Sequence, residues 1–122
     1  MNKEFNCPVE ATISLIGGKY KSVILFHLMG KTLRYSELHK KITKATDKML
    51  AQQLRELEKD GLIKRTVYPV VPPKTEYNLT EFGESLSPIL NAMCNWGESY
   101  LNIPSQCVDC LLYTSDAADD MQ

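Results

Sequence analysis

Three polar side chains share one face of a helical stretch in the middle of this chain: Lys48, Gln52 and Arg55. Each suits a base or a phosphate. A glutamine amide can bond the edge of adenine twice, a guanidinium can do the same with guanine, and lysine is a phosphate contact. Behind them, Leu50, Leu54 and Leu57 fall within a sector of about 60° at helical spacing, so one face docks on a core and the opposite face is left outward. Around this stretch, Lys44 reads as a second phosphate contact, Thr46 as its N-cap, and Arg65 and Lys74 as phosphate grips on a following hairpin. Catalytic chemistry has no comparable set. A grouped Ser/His/Asp nucleophile, a GxxxxGK phosphate loop and an HExxH zinc motif are all missing. Cys107-Val108-Asp109-Cys110 is a lone CxxC, without the strand-helix setting of a thiol oxidoreductase or the further ligands of a zinc site.

Charge distribution supports a polyanionic partner although the net charge is only −1. Residues 19–74 carry thirteen Lys/Arg against five acids, whereas residues 75–122 carry eight acids and no Lys or Arg. A basic middle of net +8 is the footprint of a nucleic-acid surface. With 122 residues, 43% hydrophobic and 24% charged, the chain fits one folded domain. No apolar run approaches the roughly 20 residues of a membrane span, and the first residues lack a signal-peptide core, so a cytoplasmic protein without membrane contact is expected.

The elements that must position these residues follow from periodicity and punctuation. Residues 8–16 read as a helix with Pro8 at its first position, Cys7 as N-cap and Glu10 as capping-box partner, ended by Gly17-Gly18. Residues 21–29 read as a second helix closed by Gly30. Residues 36–42 form a third, capped by Ser36, and residues 47–60 a fourth, ended by Gly61. Residues 62–68 and 74–79 alternate as strands around the proline-rich loop 69–73. After Thr80, Leu86, Ile89, Leu90, Met93, Trp96 and Tyr100 recur every three or four residues, with Pro88 interrupting near Leu86. His27 lies on an apolar face, and His39 reads as solvated. Residues 5–103 thus form a mainly α domain with a small β-hairpin, the layout of a winged helix-turn-helix. Residues 104–122 read as a disordered or non-native tail.

Several of these segments together resemble the HxlR-type winged-helix transcriptional regulators. They are Cys7-Pro8-Val9-Glu10, Ile16-Gly17-Gly18-Lys19-Tyr20, Leu33-Arg34-Tyr35-Ser36-Glu37-Leu38, residues 49–63, Arg65-Thr66-Val67-Tyr68-Pro69, Pro72-Pro73 and Glu76-Tyr77-Asn78-Leu79-Thr80. Tyr20 stands where the family usually has Trp, and Tyr35 where Phe is common. The resemblance implies a homodimeric DNA-binding regulator, often a repressor. Together with the spacing and charge above, the expectation is a palindromic operator contacted through Ser36, Lys44, Thr46, Lys48, Gln52, Arg55, Arg65 and Lys74, with no cofactor and no metal. It also implies that the first and last helices form the dimer contact. That agrees with the stripe Leu86, Ile89, Leu90, Met93, Trp96 and Tyr100, which is more apolar surface than one small domain covers.

In several members of that family a cysteine near the N-terminus senses oxidants or electrophiles, and Cys7 matches the position. At a helix N-cap the positive helix end favours a thiolate, and Glu10 opposes it. On this reading Cys7 bridges to Cys107, or to Cys110, of the other subunit, while Cys94 is packed. The alternatives are the same regulator under a small-molecule effector, a CxxC oxidoreductase, and a winged domain used only for protein interaction.

Overall fold

The computed structural model describes residues 5–102. The expected tail, with Cys107 and Cys110, lies outside the described residues. Helix α1 (Pro8–Ile16) begins at proline, with Cys7 in the extended conformation of a cap. The capping carboxylate is offset by one residue from the sequence expectation: Glu10 accepts the N–H of Asn6 at 2.7 Å, and the Cys7 side chain bonds no helix-start N–H. Helix α2 (Lys21–Leu28) is the most deeply placed helix, with Ile24, Leu25 and Leu28 fully buried.

The chain then forms a short strand that periodicity missed, β1 (Thr32–Arg34). It leads directly into α3 (Tyr35–Lys41) and, after a short turn, α4 (Asp47–Lys59). Ser36 is therefore not the N-cap of α3. Arg34 holds that position, and the Glu37 carboxylate accepts its N–H at 2.7 Å. Thr46 does cap α4, its hydroxyl accepting the Met49 N–H at 3.1 Å. Gly61 ends α4 at φ +81, a conformation that side-chain-bearing residues rarely adopt.

Strands β2 (Ile63–Tyr68) and β3 (Lys74–Leu79) form the antiparallel wing. β1 pairs on the other edge of β3, giving a three-stranded sheet in the order β1-β3-β2 with Leu33 and Arg65 both opposite Tyr77. Only the base of the wing is buried: Ile63, Tyr77 and Leu79 join the core, whereas Val67, expected on the same side as Ile63, is exposed. Thr80 caps the short α5 (Glu81–Glu84), and α6 (Ser87–Leu101) restarts with Pro88 in its first turn.

One core joins these pieces. Leu50, Leu54 and Leu57 of α4 meet α2 and the sheet, and Leu86 and Leu90 close it from the C-terminal side. The stripe expected to face a second subunit is thus divided. Leu86 and Leu90 are turned into this chain's own core, while Ile89, Met93, Trp96 and Tyr100 stay exposed. The cause is helical geometry: positions 86 and 90 are one turn apart on the face against α2, and position 89 lies about 100° from position 90, on the far side of 86.

His27 is buried, and burial first, then the positive charges of Lys41 and Lys31, push its pKa down from 6.5 to about 4. The folded protein therefore holds His27 neutral. Its contribution to stability is complete above pH 6.5 and is lost as pH falls towards 4, where the unfolded chain binds a proton that the folded chain resists. The shift corresponds to about 3 kcal/mol. Urea unfolding between pH 7 and pH 4 is expected to show this loss, and His27→Gln is expected to flatten that part of the profile. Truncation of Leu57 to Ala is expected to cost about 2–5 kcal/mol in the same assay.

Candidate nucleic-acid interface

The leucine seam of α4 decides which of its side chains can meet a ligand. With Leu50, Leu54 and Leu57 inward, Lys48, Gln52 and Arg55 are exposed on the other face. They stand four and three residues apart, close to one helical turn, and so form a row along the outer surface. Lys44 and Thr46 are exposed at the start of α4, although the Thr46 hydroxyl is already engaged as the cap. Ser36 is exposed in the first turn of α3.

Helix α3 is pinned to the start of α4 through Asp47. The Tyr35 hydroxyl donates to the Asp47 carboxylate at 2.9 Å, and His39 Nε2 lies 3.4 Å from the same oxygen. The two rings stack, with centroids 6.1 Å apart and planes 12° from parallel. Burial and the bond to Asp47 push the Tyr35 hydroxyl up to about 12, so it stays a donor across the neutral range. His39, expected to be solvated, is half-buried in this pin. Aromatic type alone could not reveal the contact, because phenylalanine would pack there equally well; the hydroxyl is the part that reaches Asp47.

The wing carries Arg65 exposed on β2. Lys74, expected to grip phosphate, is otherwise occupied: its ammonium lies 4.9 Å over the Tyr68 ring and 3.7 Å from Glu76. Glu76 also accepts from Tyr68 and raises that phenol. The basic side chains therefore reach solvent chiefly from the α3–α4 unit and β2.

Sequence reasoning also missed Lys21 and Glu56. Lys21 is buried at the start of α2, and its ammonium sits 2.8 Å from Glu56 on α4. Glu56 accepts from Gln52 Nε2 as well, at 3.2 Å, and these two donors hold its carboxyl below the usual range. The spacing of Gln52 and Glu56 by four was the available signal. Cys7 is an exposed free thiol. Cys94 packs against the core and is not free. Among the described residues no group of His, Cys, Asp and Glu could hold a metal ion, and no helix is long and apolar enough to cross a membrane.

Residues 15–105 match the model of the HxlR-like helix-turn-helix family. The chain belongs to that family. It is 53% identical over 94 residues to the uncharacterized HTH-type transcriptional regulator YdeP of Bacillus subtilis, covering 77% of this chain and 73% of that protein. It is also similar to solved structures. The redox regulator HypR in its oxidized form has a TM-score of 0.73 at 49% identity, over 76% of this chain and 96% of that one. The reduced transcriptional regulator YodB from B. subtilis has a TM-score of 0.66 at 34% identity, over 79% of this chain and 95% of that one. The protein is a winged helix-turn-helix transcriptional regulator and not an enzyme.

The pin between the two helices makes a testable claim. Tyr35→Phe removes the hydroxyl and keeps the ring, and is expected to lower unfolding stability by about 1 kcal/mol. Thr46→Ala is expected to cost about 1 kcal/mol through the lost cap. Denaturant titration reads both.

Proposed function

We propose that this chain acts as a homodimeric, sequence-specific DNA-binding repressor on a palindromic operator. The observation that carries this reading is the outward row Lys48, Gln52 and Arg55, backed by a buried leucine seam. A major groove about 12 Å wide admits such a helix, with Gln52 and Arg55 at base edges and Lys48 at phosphate. Lys44, Thr46 and Ser36 extend the contact at the start of the pair, and Arg65 reaches flanking backbone from the wing. In the free protein Lys74 braces Tyr68 and Glu76, so it contributes to the wing's shape before it contributes to binding.

Two helices support the dimer. The nine residues of α1 leave Val9 and Ile13 exposed and bury only Ile16, too little to hold a helix of that length on its own chain. On α6, Trp96 and Tyr100 stack with ring centroids 5.3 Å apart while remaining 69% and 73% exposed. A two-fold contact through α1 and α6 would cover both surfaces and set two recognition helices about 34 Å apart.

Thiol control is the regulatory part of the proposal. Cys7 is exposed at the base of α1, inside the region the dimer would cover, and two structural relatives are a redox regulator, HypR, and YodB. On oxidation the Cys7 thiol and a second thiol of the partner subunit, Cys107 or Cys110, would lose two protons and two electrons to the oxidant and form one intersubunit bond. A second reading, control by a small effector, is favoured by a cavity of about 280 Å³ between α2 and α6, lined by Ser22, Val23, Phe26, His27, Leu90, Met93 and Cys94.

Arg55→Ala is expected to weaken operator binding by about 1–3 kcal/mol and to relax base preference, with a smaller loss on random duplex. Equal losses on both would reduce Arg55 to a phosphate contact. Wild-type affinity is expected to fall steeply with salt as counterions are released. Treatment with diamide, which is reduced to the hydrazine as the thiols pair, is expected to give a covalent dimer on non-reducing gels. A dimer band unchanged by Cys7→Ser would refute the thiol assignment.

A further inference from the structure

The buried lysine of α2 reaches the middle of α4 through one carboxylate. Lys21 Nζ lies 2.8 Å from Glu56 Oε1, and Glu56 Oε2 accepts from Gln52 Nε2 at 3.2 Å. The Lys21 side chain is 11% exposed and that of Glu56 41%, so one end of this chain is fixed in the protein and the other opens on the outer face of α4. The seat is tight. A Cβ at Gly18 would run into the Gln53 amide oxygen and stand 2.8 and 2.9 Å from Lys21 Cδ and Cε. These are far ends of flexible side chains, so Gly18 gives the lysine stem room without being required for it.

A carboxylate only accepts hydrogen bonds, so Glu56 selects the nitrogen end of the Gln52 amide. The Gln52 oxygen is then turned away from Glu56, together with one remaining N–H. That outward pair, one acceptor beside one donor, complements adenine, which offers an N6 donor and an N7 acceptor in the major groove. Guanine offers two acceptors there, O6 and N7, and would need both amide hydrogens. Reading guanine would break the bond to Glu56 and bring its negative charge towards two acceptor atoms.

We infer that Lys21 and Glu56 are specificity-determining positioning residues, which lock the Gln52 amide in the orientation that reads adenine and rejects guanine. The inference rests on the reading of Gln52 as a base contact. Lys21 fixes where the carboxylate points and offsets its charge beside the polyanion, and Glu56 fixes which end of the amide faces the groove. Without Lys21 the carboxylate is free to turn into water, and the amide is free to rotate.

Selection from randomised duplex DNA, followed by affinity measurements on the recovered site and on its single-base variants, tests this with the full-length protein. Gln52→Ala first locates the base pair that Gln52 reads, as the position whose preference disappears. At that position Lys21→Met and Glu56→Ala are each expected to lower the adenine-over-guanine ratio at least about fivefold. The double variant is expected to lower it no further than either single one, because both cut the same chain. Preferences at other positions should stay as in the wild type, which a general loss of folding would not allow. The two substitutions approach the amide from different helices, so a folding failure of one leaves the other to decide. If Gln52→Ala erases a preference that both Lys21→Met and Glu56→Ala retain, the locking role is overturned while the base contact stands. If Gln52→Ala erases no preference, the base contact fails and the locking role falls with it.

Discussion

Burial of one face of α4 is the constraint from which the rest of the molecule follows. Leu50, Leu54 and Leu57 are almost wholly removed from water, and each such side chain contributes about 1.5–3 kcal/mol by leaving it. No rotation of α4 about its axis keeps these three inside and also hides Lys48, Gln52 and Arg55, because the two sets lie on opposite sides of a 3.6-residue helix. The hydrophobic effect thus orients the polar row without any polar interaction having to do so. Polar contacts refine what burial has set. Thr46 fixes where α4 starts, the Tyr35–Asp47 bond fixes how α3 meets that start, and Lys21 reaches α4 from α2.

These polar contacts differ in kind from the surface ion pairs elsewhere on the chain. Lys74 and Glu76 on the wing are partly hydrated and 3.7 Å apart, a geometry that contributes little to stability. Tyr35 and Lys21 each bring a partly or wholly buried group to a carboxylate at 2.9 and 2.8 Å. Losing Glu56 would strand the Lys21 ammonium, whose side chain is only 11% exposed, whereas the Asp47 and Glu56 carboxylates stay within reach of water. Of the two, the Lys21 contact is the one whose geometry is enforced by the cost of doing without it.

Much of this was legible in the amino-acid order. Gly30, Gly61, Thr46, Thr80 and the prolines at 69, 72 and 73 mark boundaries by local backbone chemistry, and the elements they bound appear within about a residue of the expected places. The failures share a different cause. β1 is three residues long and exists because Leu33 lies beside Tyr77, more than forty positions away, so no local pattern announces it. Ser36 has the right chemistry for a cap, but the Glu37 carboxylate accepts the Arg34 N–H from inside the helix and moves the cap back by two residues. The stripe on α6 is apolar around more than one face, and periodicity could not say that Leu86 and Leu90 belong to the chain's own core. Lys21 was visible only as one of fourteen basic residues; its burial is a tertiary fact. The outward placement of Lys48, Gln52 and Arg55 was readable from helical spacing, and the contact between Lys21 and Glu56 was not.

The divided stripe bears on how the two ends of the molecule are connected. Leu86 and Leu90 tie α6 to α2, and α2 carries Lys21 at its first position, while Ile89, Met93, Trp96 and Tyr100 leave α6 on the side away from the core. A displacement of α6 imposed on its exposed side is therefore resisted by packing against α2, and close-packed cores pass strain on rather than absorb it. Helix α1 joins α2 through Gly17-Gly18, the turn that leads into Lys21 at the start of α2. Both surfaces that would meet a second subunit thus lead to α2, and α2 meets the polar row of α4 through a single ammonium. One packed core thus connects the exposed side of α6, through α2, to the outer face of α4.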